Sequence, residues 1–254
     1  MSVPIYAIYV DIGNTSITFG VFAGDRIIRR FNIPTGAYSL KKLRKNLTRQ
    51  IIDNSVLCSV VPVMTKVIEK DLKRLIKKQP YIIGKNLKVP IKNLYNKPKE
   101  VGADRLVNAY GCVKLYGYPA ICVDFGTAIT FDVISRKAEY LGGIIVPGLE
   151  LSLETLSKRA ALLPRITLKE PESLIGKNTV GSMRSGAIYG ISALTDGLIK
   201  KLKVEIGKRV VVVATGGNSE FIAGFCKSID RVDRDLTLKS LQLIAISIVC
   251  LKSK

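Results

Sequence analysis

The distribution of apolar and polar residues alternates between short β-type runs and longer segments with helical spacing. Residues 56–61 form an apolar run that ends in proline, which is typical of a buried strand. Residues 39–52 and 67–76 repeat apolar side chains every three or four positions and carry lysine or arginine between them. This order of strands and helices predicts an α/β fold.

The same patterns predict further elements along the chain. Strands are expected at 26–33, 81–83, 140–146 and 210–214, and helices at 149–161, 179–202, 219–226 and 238–251. The 179–202 helix carries small residues, which allow close packing against another backbone or a nucleotide. The final helix is apolar on most faces, so we expect it to be buried within its domain or between subunits.

Two segments share a strand, an aspartate and a small polar turn. Residues 6–22 read YAIYVDIGNTSITFGVF, and residues 120–133 read AICVDFGTAITFDV. Each is predicted to be a β-hairpin with a carboxylate, Asp11 or Asp124, just before its turn. Taken alone, the first hairpin is either an ordinary tight turn or a ligand site in which Asp11 holds a metal. The repetition favours two related halves that direct these turns at a shared cleft.

Histidine is absent from the 254 residues. This absence excludes Ser-His-Asp and Cys-His catalysis and histidine-ligated zinc. The five cysteines are widely separated and show no Cys-x-x-Cys spacing, so neither a disulfide framework nor a zinc site is indicated. A general base must therefore be a carboxylate, a lysine, a tyrosine or a thiolate.

The formal net charge of +20 indicates anionic partners such as nucleotides or phosphorylated metabolites. Lysine is spread along amphipathic segments, which favours a solvated basic surface over a specific nucleic-acid footprint. No targeting segment is recognisable, and the apolar stretch 241–251 is too short to span a bilayer. We therefore expect a cytoplasmic protein without a membrane partner.

Two more glycine-containing segments are candidates for ligand contact. Gly102, Ala103, Asp104 and Arg105 stand where a helix to about Tyr116 begins. Asp104 there is either a helix cap or a functional carboxylate beside Arg105. The sequence Thr215-Gly216-Gly217-Asn218 follows a buried strand and leads to a helix, which suits contact with a nucleotide.

Taken together, these motifs resemble those of a known superfamily. The segments D-x-G-N-T, D-F-G-T-A and A-T-G-G are similar to the phosphate-1, phosphate-2 and adenosine motifs of the acetate kinase, sugar kinase, heat-shock-protein and actin superfamily. Within it, the type III pantothenate kinases are similar over nearly the whole chain, through V-G-A-D-R, G-G-I-I-V-P-G, A-A-L-L-P, G-K-N-T-V-G-S-M-R-S-G and D-L-T-L-K-S-L in that order.

The resemblance implies an actin-like ATPase fold. Two related α/β domains, each a ribonuclease H-like mixed sheet flanked by helices, would enclose a nucleotide cleft. We expect residues 1–116 to form the N-terminal domain with the phosphate-1 motif and the catalytic aspartate. Residues 117–254 would form the C-terminal domain with the phosphate-2 and adenosine motifs and the dimer contacts.

The resemblance also implies ATP-dependent phosphorylation of pantothenate, the first step of coenzyme A synthesis. Asp104 would be the general base, Asp11 would hold Mg²⁺, and Asp124 would hold a monovalent cation, K⁺ or NH₄⁺. The protein would be a homodimer, with Thr179 reaching pantothenate from the neighbouring subunit. Pantothenate would contact Tyr95, Gly102, Ala103, Asp104, Arg105 and Thr179, and ATP would contact Asp11, Ile12, Gly13, Asn14, Thr15, Ser16, Gly126, Thr127, Gly216 and Gly217.

The chain departs from the family pattern at Ser16 and at Lys158-Arg159, where members can carry histidine. These departures bear on the details of substrate contact. Two alternatives to pantothenate phosphorylation follow from the residues. One is a kinase of the same fold for another small hydroxy acid, and the other is a nucleic-acid-binding regulatory protein, motivated by the charge of +20.

Overall fold

The structure is a computed structural model that describes residues 6–47 and 52–252. The described chain divides into two compact units. The first consists of the described residues within Met1–Ile91, Lys97–Gly111 and Leu236–Lys254, and the second of Lys92–Asn96 and Cys112–Asp235. Both sheets mix parallel and antiparallel strands with flanking helices, so the predicted α/β class is confirmed.

The first unit is built on a five-stranded sheet in the order β3-β2-β1-β4-β5. The antiparallel strands β1 and β2 are the predicted hairpin, and β4 runs parallel to β1. The strands are β1 Tyr6–Ile12, β2 Ser16–Ala23, β3 Arg26–Pro34, β4 Ile52–Ser59 and β5 Tyr81–Ile82. The helices are α1 Leu40–Asn46, α2 Pro62–Ile76, the first part of α3 Ala103–Tyr116, and α8 Leu236–Lys252.

Alternation along β1 sends its side chains into two separate cores. Ile8, Val10 and Ile12 are fully buried with residues of α1 and α2, including Leu43 and Ile68. The intervening Tyr9 packs on the opposite face, with residues of α3 and α8, among them Val107, Tyr110, Leu238 and Leu241. Because strand side chains alternate, Asp11 points to the same face as Tyr9, the face that α3 covers.

The second unit contains a six-stranded sheet in the order β11-β10-β7-β8-β9-β6. Its core packs Ile121, Val123 and Phe125 against Ile188, Ile199 and Ile222. The strands are β6 Lys92–Asn93, β7 Ala120–Phe125, β8 Ala128–Ile134, β9 Glu139–Pro147, β10 Val211–Thr215 and β11 Arg231–Val232. The helices are α4 Leu149–Arg159, α5 Thr179–Ser185, α6 Ile191–Ile206 and α7 Ser219–Ala223, and a π-helical turn, Gly186–Gly190, joins α5 to α6.

The two sheets repeat one topology. In the first unit β1 pairs antiparallel with β2, β2 pairs with β3, and β4 lies parallel on the other side of β1. In the second unit β7, β8, β9 and β10 stand in the same relations. The repeated hairpin in the sequence therefore marks a repeated half-sheet.

Two predicted helices differ most from their limits in the structure. The helix predicted at 39–52 is α1, which ends at Asn46 because Leu47 adopts an extended conformation with ψ 124°. Residues 48–51 lie outside the described residues, and Ile52 opens β4. Helix α2 begins at Pro62, five residues before the predicted start, since proline is well suited to the first position of a helix.

The domain limits in the structure differ from the predicted 1–116 and 117–254. One division falls within α3, between Gly111 and Cys112, and α8 belongs to the first unit instead of the second. The physical reason is packing, because Leu238, Leu241 and Ile244 of α8 are buried against Tyr9 and Phe22. Chain order alone does not reveal such a return of the C-terminus.

Within residues 6–47 and 52–252, helices long and apolar enough to cross a membrane are absent.

Candidate functional site

The turn between β1 and β2 is fixed by backbone hydrogen bonds on both sides. The Gly13 N–H donates to the Ser16 carbonyl at 3.0 Å, and the Thr35 N–H donates to the Thr15 carbonyl at 3.0 Å. The Thr35 hydroxyl adds a 2.8 Å bond to the Gly13 carbonyl. Asn14 and Thr15 are exposed at the tip. The turn is therefore a rigid frame that presents polar side chains to solvent.

Asp11 lies immediately before this turn and beside the end of β4. It is half-buried, and its register partner on β4 is Cys58. The neighbouring Val60 N–H donates to the Ile12 carbonyl at 3.1 Å, which closes the carboxyl ends of β1 and β4 together. The edge formed by strand ends is a common ligand position in α/β sheets.

Asp104 is held at the start of α3 by its own helix turn. The Arg105 N–H donates to Asp104 Oδ1 at 2.8 Å and to the Gly102 carbonyl at 3.1 Å. A Cβ added at Gly102 would lie 2.6 Å from Asp104 Oδ1, so a larger residue there would displace this carboxylate. Asp104 thus satisfies a backbone donor of the helix terminus, as the capping interpretation predicts. The same placement changes the pKa of its carboxyl group.

Burial raises the pKa of Asp104, and the N–H and positive charge of Arg105 offset this rise only in part. Cys58 connects Asp104 to Asp11. Burial raises the pKa of the Cys58 thiol well above its ordinary value, and the charges of Asp11 and Asp104 raise it further. Both carboxylates are therefore neighbours of one buried, neutral thiol, and the first unit brings the predicted metal ligand and the predicted base together.

Arg105 follows Asp104 directly and is buried, with 7% of its surface exposed. A planar guanidinium presents donors that match the two oxygens of a carboxylate. Ala103, the first residue of α3, is half-buried and packs against the apolar core beneath α3 and α8. The N-terminus of α3 therefore offers an acidic and a basic group side by side.

In the second unit, Asp124 is placed by β7 and covered by the loop after β10. Its register partners are Thr130 on β8 and Thr215 on β10. Gly216 has a φ of +94°, and a Cβ there would lie 2.3 Å from Asp124 Oδ1 and 2.8 Å from the Phe125 backbone. Only glycine fits both the backbone conformation and this contact. The Gly216 loop and Asp124 are thus one packed assembly.

The turn residues beside Asp124 remain accessible. Thr127 is exposed and Gly126 half-buried, and the Gly126 N–H donates to the Ala128 carbonyl at 3.2 Å. Gly217 is exposed. The structure therefore brings the predicted phosphate-2 and adenosine residues together within one unit.

Two predicted pantothenate contacts also lie in the second unit, on separate elements. The Tyr95 ring lies against Gly142, where an added Cβ would be 3.4 Å from the ring. Thr179 is exposed at the first position of α5, and the Asn178 side chain caps this helix by accepting from the Gly181 N–H at 2.7 Å.

Two residues at the strand end beside Asp11 are not marked by a local sequence motif. Cys58 and Val60 belong to the apolar run 56–61, which predicts only a buried strand. Val60 lies against Gly102, with its Cγ1 3.7 Å from an added Cβ there. The signal that could have found them is the parallel pairing of β1 with β4, which sequence periodicity does not give.

A divalent metal at this site would depend on few protein ligands. Among the described residues, clusters of three or more His, Cys, Asp or Glu side chains suited to a metal are absent. Mg²⁺ usually binds through one or two carboxylates, with water and substrate phosphates completing its shell. A half-buried Asp11 next to an exposed polar turn fits that donor set.

The sequence model of the type III pantothenate kinase family matches residues 7–201. The chain belongs to the type III pantothenate kinase family. The matched region includes Asp11, Asp104, Asp124 and Thr179, and it ends before the Gly216 loop.

Curated members of this family align over most of the chain. The type III pantothenate kinase of Halalkalibacterium halodurans is 41% identical over 245 residues, which cover 92% of this chain and 96% of that protein. The type III pantothenate kinase of Moorella thermoacetica is also 41% identical, with the same coverage of both chains. These alignments extend the likeness beyond the region that the family model matches.

Solved structures of other proteins have a fold similar to that of this chain. The ethanolamine utilization protein EutJ from Carboxydothermus hydrogenoformans gives a TM-score of 0.56 at 12% identity and covers 96% of this chain and 90% of its own. The activator of the 2-hydroxyisocaproyl-CoA dehydratase from Clostridium difficile, solved with bound ADPNP, gives 0.54 at 14% identity and covers 98% of both chains. At these identities the likeness concerns the fold alone.

Proposed function

We propose that the protein phosphorylates pantothenate with ATP, the reaction that opens coenzyme A synthesis, in the cytoplasm. Membership of the pantothenate kinase family supports this function. The structural observation that carries it is the register pairing of Asp11 with the buried Cys58, whose thiol pKa is raised by burial and by the charges of both Asp11 and Asp104. Phosphoryl transfer needs positioning, charge neutralisation and one base, and it does not need histidine.

Asp104 is the proposed general base for the pantothenate hydroxyl. Its raised pKa makes the carboxylate a better proton acceptor than an ordinary aspartate. Gly102 and the Arg105 N–H hold the carboxylate in one orientation. The proton of the attacking hydroxyl would pass to this carboxylate as the oxygen bonds to the γ-phosphorus of ATP and ADP leaves.

Arg105 is the proposed partner of the pantothenate carboxylate. A buried guanidinium forms stronger ion pairs than an exposed one, because water screens it less. Tyr95, Gly102 and Ala103 are proposed to line the same substrate. A small hydroxy acid without a carboxylate at the matching distance would be a poor acceptor.

Asp11 is the proposed Mg²⁺ ligand, and the metal would neutralise phosphate charge during transfer. The turn with Ile12, Gly13, Asn14, Thr15 and Ser16 is proposed to contact the transferring phosphate. Its backbone is already fixed by Thr35, so it can bind without reorganising.

In the second unit, we assign Gly126, Thr127, Gly216 and Gly217 to ATP and Asp124 to a monovalent cation, K⁺ or NH₄⁺. The contact between Gly216 and Asp124 supports a common function for these residues. A cation there would balance the carboxylate beside a polyanionic ligand.

The proposed assembly is a homodimer in which Thr179 of one copy reaches the pantothenate of the other. Exposed apolar side chains in the second unit support an interface between copies. They are Ile145, Leu162, Leu174 and Ile175, with 60%, 93%, 64% and 77% of their surfaces exposed.

Mass spectrometry of the reaction product tests the function. Purified protein with ATP, Mg²⁺ and K⁺ is expected to convert pantothenate to 4′-phosphopantothenate, and less product is expected when Na⁺ replaces K⁺. A panel of small hydroxy acids serves as the matched control. Faster phosphorylation of another acceptor would show that pantothenate is not the preferred substrate. Absence of any phosphorylated product would refute the proposed kinase activity.

A further inference from the structure

The second unit contains a groove that the proposed kinase reaction does not use. It measures about 690 Å³, a volume typical of small-molecule sites. The groove runs along the second half of α6 to the segment before β10, with a third wall from the residues before β11. Its lining is Asp196, Gly197, Ile199, Lys200, Lys203, Val204, Gly207, Lys208, Lys227 and Ser228.

Four lysines line this groove with mainly aliphatic surface, and they outnumber its one carboxylate, Asp196. Lys200 and Lys203 lie one turn apart on α6, Lys208 follows the helix, and Lys227 comes from the opposite wall. Within the described part of the chain, none of the four ammonium groups forms an ion pair with a carboxylate. Four like charges around one groove repel each other, and a bound anion would remove that cost.

Asp196 is the carboxylate of the groove, and the backbone already engages it. Its Oδ1 accepts from the Lys227 and Ser228 N–H groups at 3.0 and 2.9 Å, and its Oδ2 accepts from the Lys227 N–H at 3.0 Å. These bonds tie the segment at 227–228 to α6 and set Lys227 opposite Lys200 and Lys203. Asp196 therefore builds the wall of the groove, and its one charge leaves the four lysines in excess.

Arg136 binds the end of α6 beside this groove. Its Nε donates to the Ile206 carbonyl at 3.3 Å, and its guanidinium lies against Gly207. One carbonyl of the helix terminus is thus satisfied by Arg136, which adds a further positive group near the lysines.

The groove is separate from the proposed nucleotide residues of the same unit. Lys208 precedes the start of β10, whereas Gly216 follows its end. Five residues of strand at about 3.3 Å each set these two edges of the sheet roughly 16 Å apart.

We propose that this groove is a second anion site, which binds small-molecule oligophosphates through Lys200, Lys203, Lys208 and Lys227. Val204, with 81% of its surface exposed, supplies an apolar patch for the body that carries the phosphates. Lysines from three segments surround the groove, so a ligand with two or three phosphates could pair with more than one of them. The site goes beyond the kinase reaction and does not depend on it.

The test is a titration of the full-length ¹⁵N-labelled protein with inorganic tripolyphosphate at physiological ionic strength. Saturable shifts are expected for the amides of Gly197, Gly207 and Ser228, distinct from any at Gly13 and Gly216. The double variant Lys200→Gln/Lys203→Gln is expected to bind about tenfold more weakly at those amides. Its pantothenate phosphorylation without added tripolyphosphate is expected to be unchanged.

The matched control is Lys70→Gln/Lys73→Gln, which removes two exposed lysines at the same spacing from α2. This control is expected to bind tripolyphosphate as the wild type does. Equal weakening in both variants would overturn the proposal, because net charge alone would explain it. Shifts confined to Gly13 and Gly216, or tighter binding of a short single-stranded DNA with shifts spread over α1 and α2, would also overturn it.

Discussion

The hairpins at Asp11 and at Asp124 share a backbone hydrogen bond from the end of the neighbouring parallel strand, and they differ in turn length and in what surrounds the carboxylate. In the first unit the Val60 N–H donates to the Ile12 carbonyl at 3.1 Å, and in the second the Asn218 N–H donates to the Phe125 carbonyl at 3.2 Å. The first carboxylate lies beside Cys58 and near Asp104, whereas Gly216 packs onto the second.

The repeated half-sheet therefore places its two carboxylates alike but gives them different surroundings. The hydrogen bonds that frame each turn are kept, so both halves present a carboxylate at the end of a central strand. The surroundings of the two carboxylates differ. Asp11 lies close to Cys58, which Asp104, the proposed base at the start of α3, also influences, whereas after β10 the Gly216 loop packs onto Asp124.

Exchanging the two carboxylates for asparagine separates their proposed roles. Asp11→Asn is expected to lower turnover roughly a hundredfold or more, because the phosphate metal loses its charged ligand. The dependence on Mg²⁺ should shift to higher concentration. Asp124→Asn is expected to weaken the activation by K⁺ and to leave the Mg²⁺ dependence in place. Titrations of both ions in a steady-state assay check this, and identical ion profiles for the two variants would remove the distinction.

Alanine at the two turn glycines tests the packing difference. Gly216→Ala meets Asp124 and Phe125 at 2.3 and 2.8 Å at a φ of +94°, so a loss of about 2 kcal/mol or more in unfolding free energy is expected. Gly13→Ala meets the Ser16 carbonyl at 3.1 Å and is expected to cost less. Denaturant unfolding of both variants measures the order, and a reversed order would contradict the described packing.

The raised pKa of Asp104 predicts a pH dependence of the unfolding free energy. Because the pKa of folded Asp104 is raised, its ionised form costs stability above that pKa, and the cost disappears as pH falls towards the ordinary range near 4. Asp104→Asn removes this cost. We expect the variant to gain on the wild type in unfolding free energy as pH rises from about 4 to 7. A difference that stays constant with pH would show that Asp104 is not desolvated.

A smaller effect on stability is expected from Cys58→Thr, which makes the neighbours of the two carboxylates alike. Cys58 pairs with Asp11, and the corresponding partner of Asp124 is the buried Thr215. Cys58→Thr should cost within about 1 kcal/mol of stability, since a β-branched residue suits a strand and its hydroxyl can donate to a carboxylate. Thermal unfolding and the Mg²⁺ requirement measure the change. A large shift in Mg²⁺ requirement would show that the thiol itself matters to Asp11.

Much of the fold is predictable from local patterns. Turn residues and apolar spacing are local signals. They predict both hairpins, the helix at Asp104 and the long helix after Asn178. They do not predict the end of α1, since helical spacing continues beyond the residue at which the backbone becomes extended. The backbone conformation of a single residue sets such a boundary, and apolar spacing does not report it.

Long-range packing sets the limit for the rest. The place of α8 in the first unit depends on contacts with residues more than 200 positions away in the sequence. One of them is the hydrogen bond from the Gln242 side chain to the Gly24 carbonyl, across a separation of 218 residues. The neighbourhood of Asp11, Cys58 and Asp104 likewise depends on the register between β1 and β4. Candidate residues could be named from the sequence, whereas their grouping required the paired strands.

The most direct test of the account measures pantothenate-dependent ADP release by the wild type and by Asp104→Asn, with saturating ATP, Mg²⁺ and K⁺. The wild type is expected to release ADP only when pantothenate is present. The folded variant is expected to lose about a hundredfold to ten-thousandfold in turnover, the contribution of a general base. Near wild-type turnover in Asp104→Asn would contradict that role.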